Sequence, residues 1–117
     1  MHFDGEGVHM IVRLWRGAAA TAKADDYFRH FTSVVAPHLK AIDGHEGAIL
    51  LRRDVESRVE FLAVTFWDSM ETIKKFAGPK PEAAVVEPEG RAALCSFDDF
   101  ATHYEVAHRT YFLDHIS

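Results

Sequence analysis

One predicted strand in this sequence is apolar on both of its faces, and this feature constrains the fold most. Residues 58–67 are rich in β-branched and aromatic side chains. The large apolar groups alternate as Leu62, Val64 and Phe66 on one face and Phe61, Ala63 and Trp67 on the other. Because successive side chains of a strand point to opposite sides of the sheet, both faces of this strand must be covered.

The other elements place this strand in a four-stranded sheet. Strands are also predicted at residues 9–16, at 47–53 and within 96–108, most clearly at 101–106. With a helix after the first strand and another after the third, the element order is β-α-β-β-α-β, which is that of the ferredoxin-like fold. The predicted fold class is therefore α+β, with an antiparallel sheet that carries both helices on one face.

The two helices are predicted from apolar spacing and from residues that start or stop a helix. The first covers residues 24–36, where one apolar stripe consists of Tyr27, Phe28, Phe31, Val34 and Val35. Pro37 is expected to kink or end it, because proline lacks the amide proton. The second begins at a capping box that starts with Asp68 and stops at Gly78. One further helical turn is expected at residues 83–86.

The second face of the sheet has no helix to cover it. A homodimer that packs sheet against sheet would bury this face, so the alternation of the strands predicts a dimer. The 117 residues are expected to form one domain with its core at about residues 9–106 and a flexible tail at 1–8. The apolar C-terminal extension, residues 107–117, is expected to dock on this chain or on its partner.

Charge and cysteine content exclude several classes of function. Thirteen basic and eighteen acidic residues give a net charge of −5, which argues against nucleic-acid binding and against a polybasic membrane-surface protein. The single cysteine, Cys95, allows neither an internal disulfide nor a multi-thiolate zinc site. His30 and His38 lie too far apart, around Pro37, for a helical pair of metal ligands. Neither a metal nor a cofactor is expected. Without a signal-peptide pattern or a membrane span, the expected location is cytoplasmic.

Four stretches of the sequence carry a resemblance to a known family. They are residues 10–17 as the opening strand, 51–54 leading into a hairpin, 66–78 with Trp67 before a capped helix, and 103–106 in the last strand. In this order and spacing, the chain resembles the antibiotic biosynthesis monooxygenase (ABM) superfamily. The resemblance implies a ferredoxin-like protomer and a homodimer whose two sheets form a dimeric α+β barrel.

The resemblance implies three alternative activities. The first is cofactor-independent oxygenation of a small aromatic or polyketide-like molecule, in which the deprotonated substrate itself supplies electrons to oxygen. The second is a non-catalytic small-molecule-binding or stress-response module that uses the same cleft. The third is haem degradation, for which Trp67 matches a tryptophan of such relatives, but residues 78–82 contain no histidine and the first strand contains no asparagine.

Two candidate catalytic residues lie next to each other in the last strand. His103 is a candidate base because imidazole titrates near neutral pH, and Glu105 shares its face of the strand. Tyr104 is a candidate hydrogen-bond partner of a ligand oxygen. The alternative for His103 is a surface or dimer-interface pair with Glu105, and for Tyr104 a core position with its hydroxyl at the rim.

Three further residues are candidates for binding a substrate. Trp67 ends the third strand, where it lines a cleft or packs in the core. Arg13 and Trp15 share one face of the first strand. The arginine could hold an anionic or phenolate oxygen, and its alternative role is an ion pair with Glu60 or Glu105.

Overall fold

The computed structural model describes residues 10–110, which form an antiparallel sheet with helices against one face. Its three long strands are β1 (Ile11–Ala20), β2 (His45–Val55) and β3 (Arg58–Trp67), in the spatial order β2-β3-β1. The α+β class and the ferredoxin-like order of the elements are confirmed. The predicted tail at 1–8 and the last seven residues of the predicted C-terminal extension lie outside the described residues.

The fourth position in the sheet is shared by two short strands. β4 (Ser96–Phe97) and β5 (Thr102–Glu105) pair one after the other along the edge of β1. Between them the chain bonds to an earlier connection instead: the amide of Ala84 donates to Asp99, and the amide of Ala101 donates to Glu82. The single fourth strand predicted from the sequence is therefore divided, and the sheet has five strands rather than four.

The first helical region continues past Pro37. It consists of α1 (Ala24–His30), a π-helical turn (Phe31–Val35) and α2 (Ala36–Lys40). Of the two expectations for Pro37, that it ends the helix is wrong, because helical residues continue to Lys40. The helix is instead irregular just before Pro37, where the wider π turn accommodates a residue that cannot donate the helical hydrogen bond.

The core lies between the helices and one face of the sheet. The odd-numbered side chains of β3 are buried, as the alternation predicts, and Trp67 and Phe61 are the largest of them. From the helical side, the core receives Tyr27, Phe31, Leu39 and Ile73. Phe28 and Val34, which the apolar stripe also includes, are instead exposed on the outer side of the helix.

The opposite face of the sheet is apolar and uncovered in the single chain. In antiparallel strands, residues directly opposite each other share a face. The register therefore places together Val12, Leu14, Ile49, Leu51, Leu62, Val64, Phe66 and Tyr104. Ile49 and Leu51 are each 48% exposed and Tyr104 is 59% exposed. We call this surface the open face.

Two details of the predicted helices are corrected by the structure: the capping residue of the second helix and the position of the later helical turn. α3 (Met70–Ala77) is capped by Ser69, whose hydroxyl accepts from the amide of Thr72, rather than by Asp68. Asp68 accepts a hydrogen bond from the Thr72 hydroxyl instead. The helical turn expected at 83–86 lies later, in α4 (Pro88–Ala93), because Pro88 presets the first turn. None of the helices within residues 10–110 has the length and apolarity that a membrane span requires.

Candidate functional site

A small cavity lies between the sheet, α1 and the connection from α3 to β4. We call this connection, residues 79–95, the cover segment. The cavity has a volume of about 40 Å³. Its aromatic and aliphatic lining includes Trp15, Tyr27, Phe31, Val35, Leu39, Phe76, Val85 and Val86. Its polar lining consists of Arg13, His30, Thr65 and Glu87. An aromatic wall with a few polar groups is the usual lining of a site for a small organic ligand.

Arg13 is the charged group at the base of this cavity. Its side chain comes from β1 and is only 4% exposed. The guanidinium donates to the carbonyls of Pro81 at 3.2 Å and Ala83 at 2.7 Å, and it lies 5.5 Å from the centre of the Phe76 ring. These bonds use two of its five donors. Burial lowers the pKa of Arg13 to about 10, so the group is still a cation at neutral pH.

The ion pair with Glu60 that the sequence suggested for Arg13 is not formed. Glu60 bonds instead to Arg53 at 2.6 Å and lies 3.5 Å from Arg16. The reason is the register: Glu60 is on the open face of the sheet, whereas Arg13 is opposite Thr65 on the helix face.

His30 and Glu87 form part of the cavity wall, and Glu89 lies behind His30 outside the cavity. His30, on α1, is 8% exposed. Its Nε2 lies 3.4 Å from a carboxylate oxygen of Glu87, and its Nδ1 lies 3.7 Å from one of Glu89. From the sequence, His30 is a candidate only for a metal site with His38, and their spacing argues against that site. The cluster with the glutamates has no local signal in the sequence, because Glu87 and Glu89 follow much later in the chain.

Tyr27 lies between this wall and the core. Its ring centre is 4.9 Å from that of Phe61 and 6.1 Å from that of His30. Burial raises the pKa of the Tyr27 hydroxyl to about 12, so the phenol is neutral at physiological pH. Tyr27 can therefore donate a hydrogen bond to a ligand but does not serve as a base near neutral pH.

The five residues selected from the sequence occupy different positions. Arg13 and Trp15 line the cavity, and the indole of Trp15 donates to the carbonyl of Asp98 at 2.8 Å. Trp67 is fully buried one layer behind the cavity, where its indole donates to the Thr65 hydroxyl at 2.8 Å. His103 lies opposite Arg13 on β5, and Tyr104 projects from the open face. The structure thus brings Arg13, Trp15, Trp67 and His103 to the helix side of the sheet and places Tyr104 on the opposite side.

His103 gives a test of the electrostatics beside Arg13. Burial, followed by the positive charge of Arg13, lowers the pKa of His103 below its ordinary 6.5, while Glu82 opposes the shift. The unfolded chain therefore binds this proton more readily than the folded chain does. The contribution of neutral His103 to the free energy of unfolding is complete above pH 6.5. It is lost as the pH falls from 6.5 to the lowered pKa of His103.

We expect His103→Gln to flatten the dependence of the unfolding free energy on pH just below 6.5, as measured by urea denaturation across that range. His45→Gln is the matched control, because burial also lowers the pKa of His45, at a site beside Trp67. Each substitution should remove its own part of the slope. Equal slopes for wild type and His103→Gln would contradict this assignment.

Solved structures with the same fold identify the architecture. The solved structure of a protein described as an antibiotic biosynthesis monooxygenase from Bacillus cereus superposes with a TM-score of 0.59 at 15% identity, over 88% of this chain and 98% of that one. SnoaB, a cofactor-independent oxygenase from Streptomyces nogalater, superposes with a TM-score of 0.51 at 16% identity, over 90% and 97%. The chain has the fold of the antibiotic biosynthesis monooxygenases. The resemblance seen in the sequence is confirmed at the level of the fold.

A third structure of the ABM fold contains a ligand. It is a monooxygenase from the gene ActVA-Orf6 of Streptomyces coelicolor, in complex with nanaomycin D. Its TM-score is 0.51 at 13% identity, over 91% of this chain and 92% of that one. The sequence matches no protein-family model and no curated protein.

Proposed function

We propose that the protein binds a small hydroxyaromatic molecule in the cavity under the cover segment and oxygenates it with molecular oxygen. One observation carries the proposal: a buried guanidinium, Arg13, faces a cavity with aromatic walls. A flat apolar ligand would pack between Trp15 and Phe76, and its ionised oxygen would accept from the free donors of Arg13. Burial strengthens this interaction, because it excludes competing water.

The ligand supplies the electrons in the proposed reaction. In an anthrone-type molecule, the reacting CH₂ carbon loses two hydrogens and becomes C=O. Oxygen accepts the four electrons that this oxidation releases, so one oxygen atom enters the product and the other leaves as water. The protein's part is to bind the ligand, hold its anion and exclude bulk water. The fold shared with SnoaB, a cofactor-independent oxygenase, supports this choice of chemistry.

The cover segment must move outward to admit such a ligand. A volume of about 40 Å³ holds a few waters, whereas sites for drug-sized ligands are several hundred Å³. The segment is bonded to the rest of the chain near both ends, through Ala84 to Asp99 and through Cys95 to Ala18. Val85, Val86 and Glu87, which close the cavity, lie between these attachments. We therefore place the entrance on the Val85 and Val86 side of this stretch, while Glu87, which precedes the first residue of α4, stays beside His30.

Oxygen uptake tests the proposal. Metal-free wild-type protein is mixed with a hydroxyanthrone-type substrate, and oxygen consumption is followed together with the product ketone. We expect one oxygen molecule consumed for each ketone formed. A haem titration in parallel tests the haem-degrading alternative through the Soret band. Binding without oxygen uptake would favour the non-catalytic binding module. If the protein neither binds the substrate nor consumes oxygen, the proposal is overturned.

We also propose that two copies of the chain pack through their open faces. Such packing would cover the apolar side chains that the register places together, including Ile49, Leu51 and Val64. Exposed contiguous apolar surface of this kind is typical of a protein–protein interface.

A charge placed on the open face should separate the dimer. Val64 lies in the middle of this face, opposite Leu14 on β1 and Ile49 on β2. We expect Val64→Glu to sediment at the mass of one chain, while wild type sediments at twice that mass. Glu71→Lys, on the exposed side of α3, is the control and should leave the dimer intact. A monomeric wild type would contradict the proposed packing.

A further inference from the structure

Two polar atoms in the cavity wall are buried without a partner among the described residues. They are Nδ1 of His30 and a carboxylate oxygen, Oε1, of Glu87. A buried polar atom without a hydrogen bond destabilises the folded chain, so such atoms are rare and call for an explanation. Oε1 of Glu87 is the atom that lies 3.4 Å from Nε2 of His30, so His30 can satisfy it. Nδ1 of His30 has no such neighbour within hydrogen-bond distance, and because His30 lines the cavity, a polar group of a bound molecule can satisfy it.

The geometry points to a function for this pair: we propose that His30, oriented by Glu87, takes the hydroxyl proton of the bound aromatic molecule. This inference rests on the oxygenation proposed above and assigns its base. Nε2 of His30 is 3.4 Å from Glu87, so a small closure makes an N–H···carboxylate bond and leaves the lone pair of Nδ1 free to accept a proton. A carboxylate that orients an imidazole is a common arrangement for such a base.

The charges around His30 favour this proton transfer. The proton leaves the ligand oxygen for Nδ1, which creates an imidazolium beside Glu87 and Glu89 and an ionised ligand oxygen in the cavity with Arg13. Each new charge therefore has an opposite charge nearby. Tyr27, the neighbouring titratable group on α1, is neutral because burial raises its pKa to about 12. The two hydrogens lost from the CH₂ carbon leave in the water molecule, and the imidazolium returns its proton to the ligand oxygen, so protons balance over the cycle.

Gly90 leaves room for the imidazole of His30. A Cβ atom at position 90 would lie 3.0 Å from both Cδ2 and Nε2 of His30. This separation is shorter than ordinary contact, so a side chain at this position of α4 would push against the ring edge that faces Glu87. The sequence therefore brings a glycine of the cover segment directly against the proposed base.

A chromogenic phenol measures this proton transfer without relying on oxygenation. The probe is 4-nitrophenol, whose ionised form absorbs at longer wavelength, added without oxygen slightly below its own pKa, where the free probe is mostly protonated and much of an ordinary imidazole is still neutral. We expect wild type to bind the probe in its ionised form. His30→Gln should bind it mainly as the neutral phenol, with the ratio of ionised to neutral probe at least roughly tenfold lower, equal to about one pKa unit. His38→Gln, an exposed histidine on the same helical rod, is the matched control and should behave as wild type.

The outcomes separate this inference from the proposed oxygenation. Glu87→Gln provides a second variant on the cover segment and should also lower the ionised fraction, even if His30→Gln fails to fold. An ionised fraction in these variants equal to that of wild type would overturn the assignment of the base. Ionisation by wild type without oxygen uptake from the anthrone-type substrate would support the base and overturn the oxygenation. Failure of wild type to bind the probe would overturn both.

Discussion

Trp67→Ala is expected to lower the free energy of unfolding by about 3–5 kcal/mol, the range for removing a large aromatic side chain from a packed core. Trp67 is 0% exposed and packs against Leu39 and Ile73. The truncation would also leave the Thr65 hydroxyl without the indole that donates to it. Urea denaturation of the purified variant measures the loss.

Two matched variants separate packing from hydrogen bonding at this position. Trp67→Phe keeps most of the ring but removes the indole donor, so we expect a loss of about 1–2 kcal/mol. Trp15→Phe, at the less buried tryptophan of β1, should cost less than Trp67→Ala. If Trp67→Ala unfolds at the same urea concentration as wild type, the core assignment of Trp67 is wrong.

Arg13→Met is expected to reduce kcat/KM for oxygen uptake about 100-fold, because the ionised ligand loses its only buried cation among the cavity residues. Methionine fills much of the volume of the arginine stem, but it donates no hydrogen bond. The carbonyls of Pro81 and Ala83 lose their donor as well. We therefore also expect an unfolding free energy lower by about 1–3 kcal/mol.

Arg13→Lys distinguishes charge from geometry at the same site. Lysine restores the positive charge but not the forked set of donors that reaches two carbonyls at once. We expect it to recover part of the ligand binding and less of the attachment of the cover segment. Arg53→Met, at an exposed arginine that bonds to Glu60, controls for the loss of one positive charge. Unchanged kcat/KM in Arg13→Met would show that the ligand anion is held elsewhere.

The two faces of the sheet could be predicted from the sequence, because the alternation of side chains along one strand shows which face is buried against the helices. The apolar positions of β3 predicted one face against the helices and one left open, and the register confirms both. The local signals failed where a distant contact decides the structure. β4 and β5 are separated because residues 99–101 bond to the cover segment, and no pattern within residues 96–108 encodes that pairing.

The candidate site was only partly predictable for the same reason. Arg13 and Trp15 were found because an arginine between apolar residues in a strand is conspicuous within the strand itself. His30 was not selected as a site residue, because its partners Glu87 and Glu89 belong to a segment that reads as a polar surface connection. One local pattern could have indicated this site: Pro88 lies between two glutamates and is followed by Gly90. Such a pattern is typical of a short helix that begins with acidic residues and has a glycine where another side chain can approach closely.

The central claim is that the cavity under the cover segment is where the ligand binds. The most direct test is a crystal structure of the protein with an anthrone-type substrate bound, from crystals grown without oxygen. We predict the ring between β1 and the displaced cover segment, packed on Trp15 and Phe76, with its oxygen within hydrogen-bond distance of Arg13. A ligand bound on the open face, with the cavity still closed at Val85–Glu87, would contradict the account.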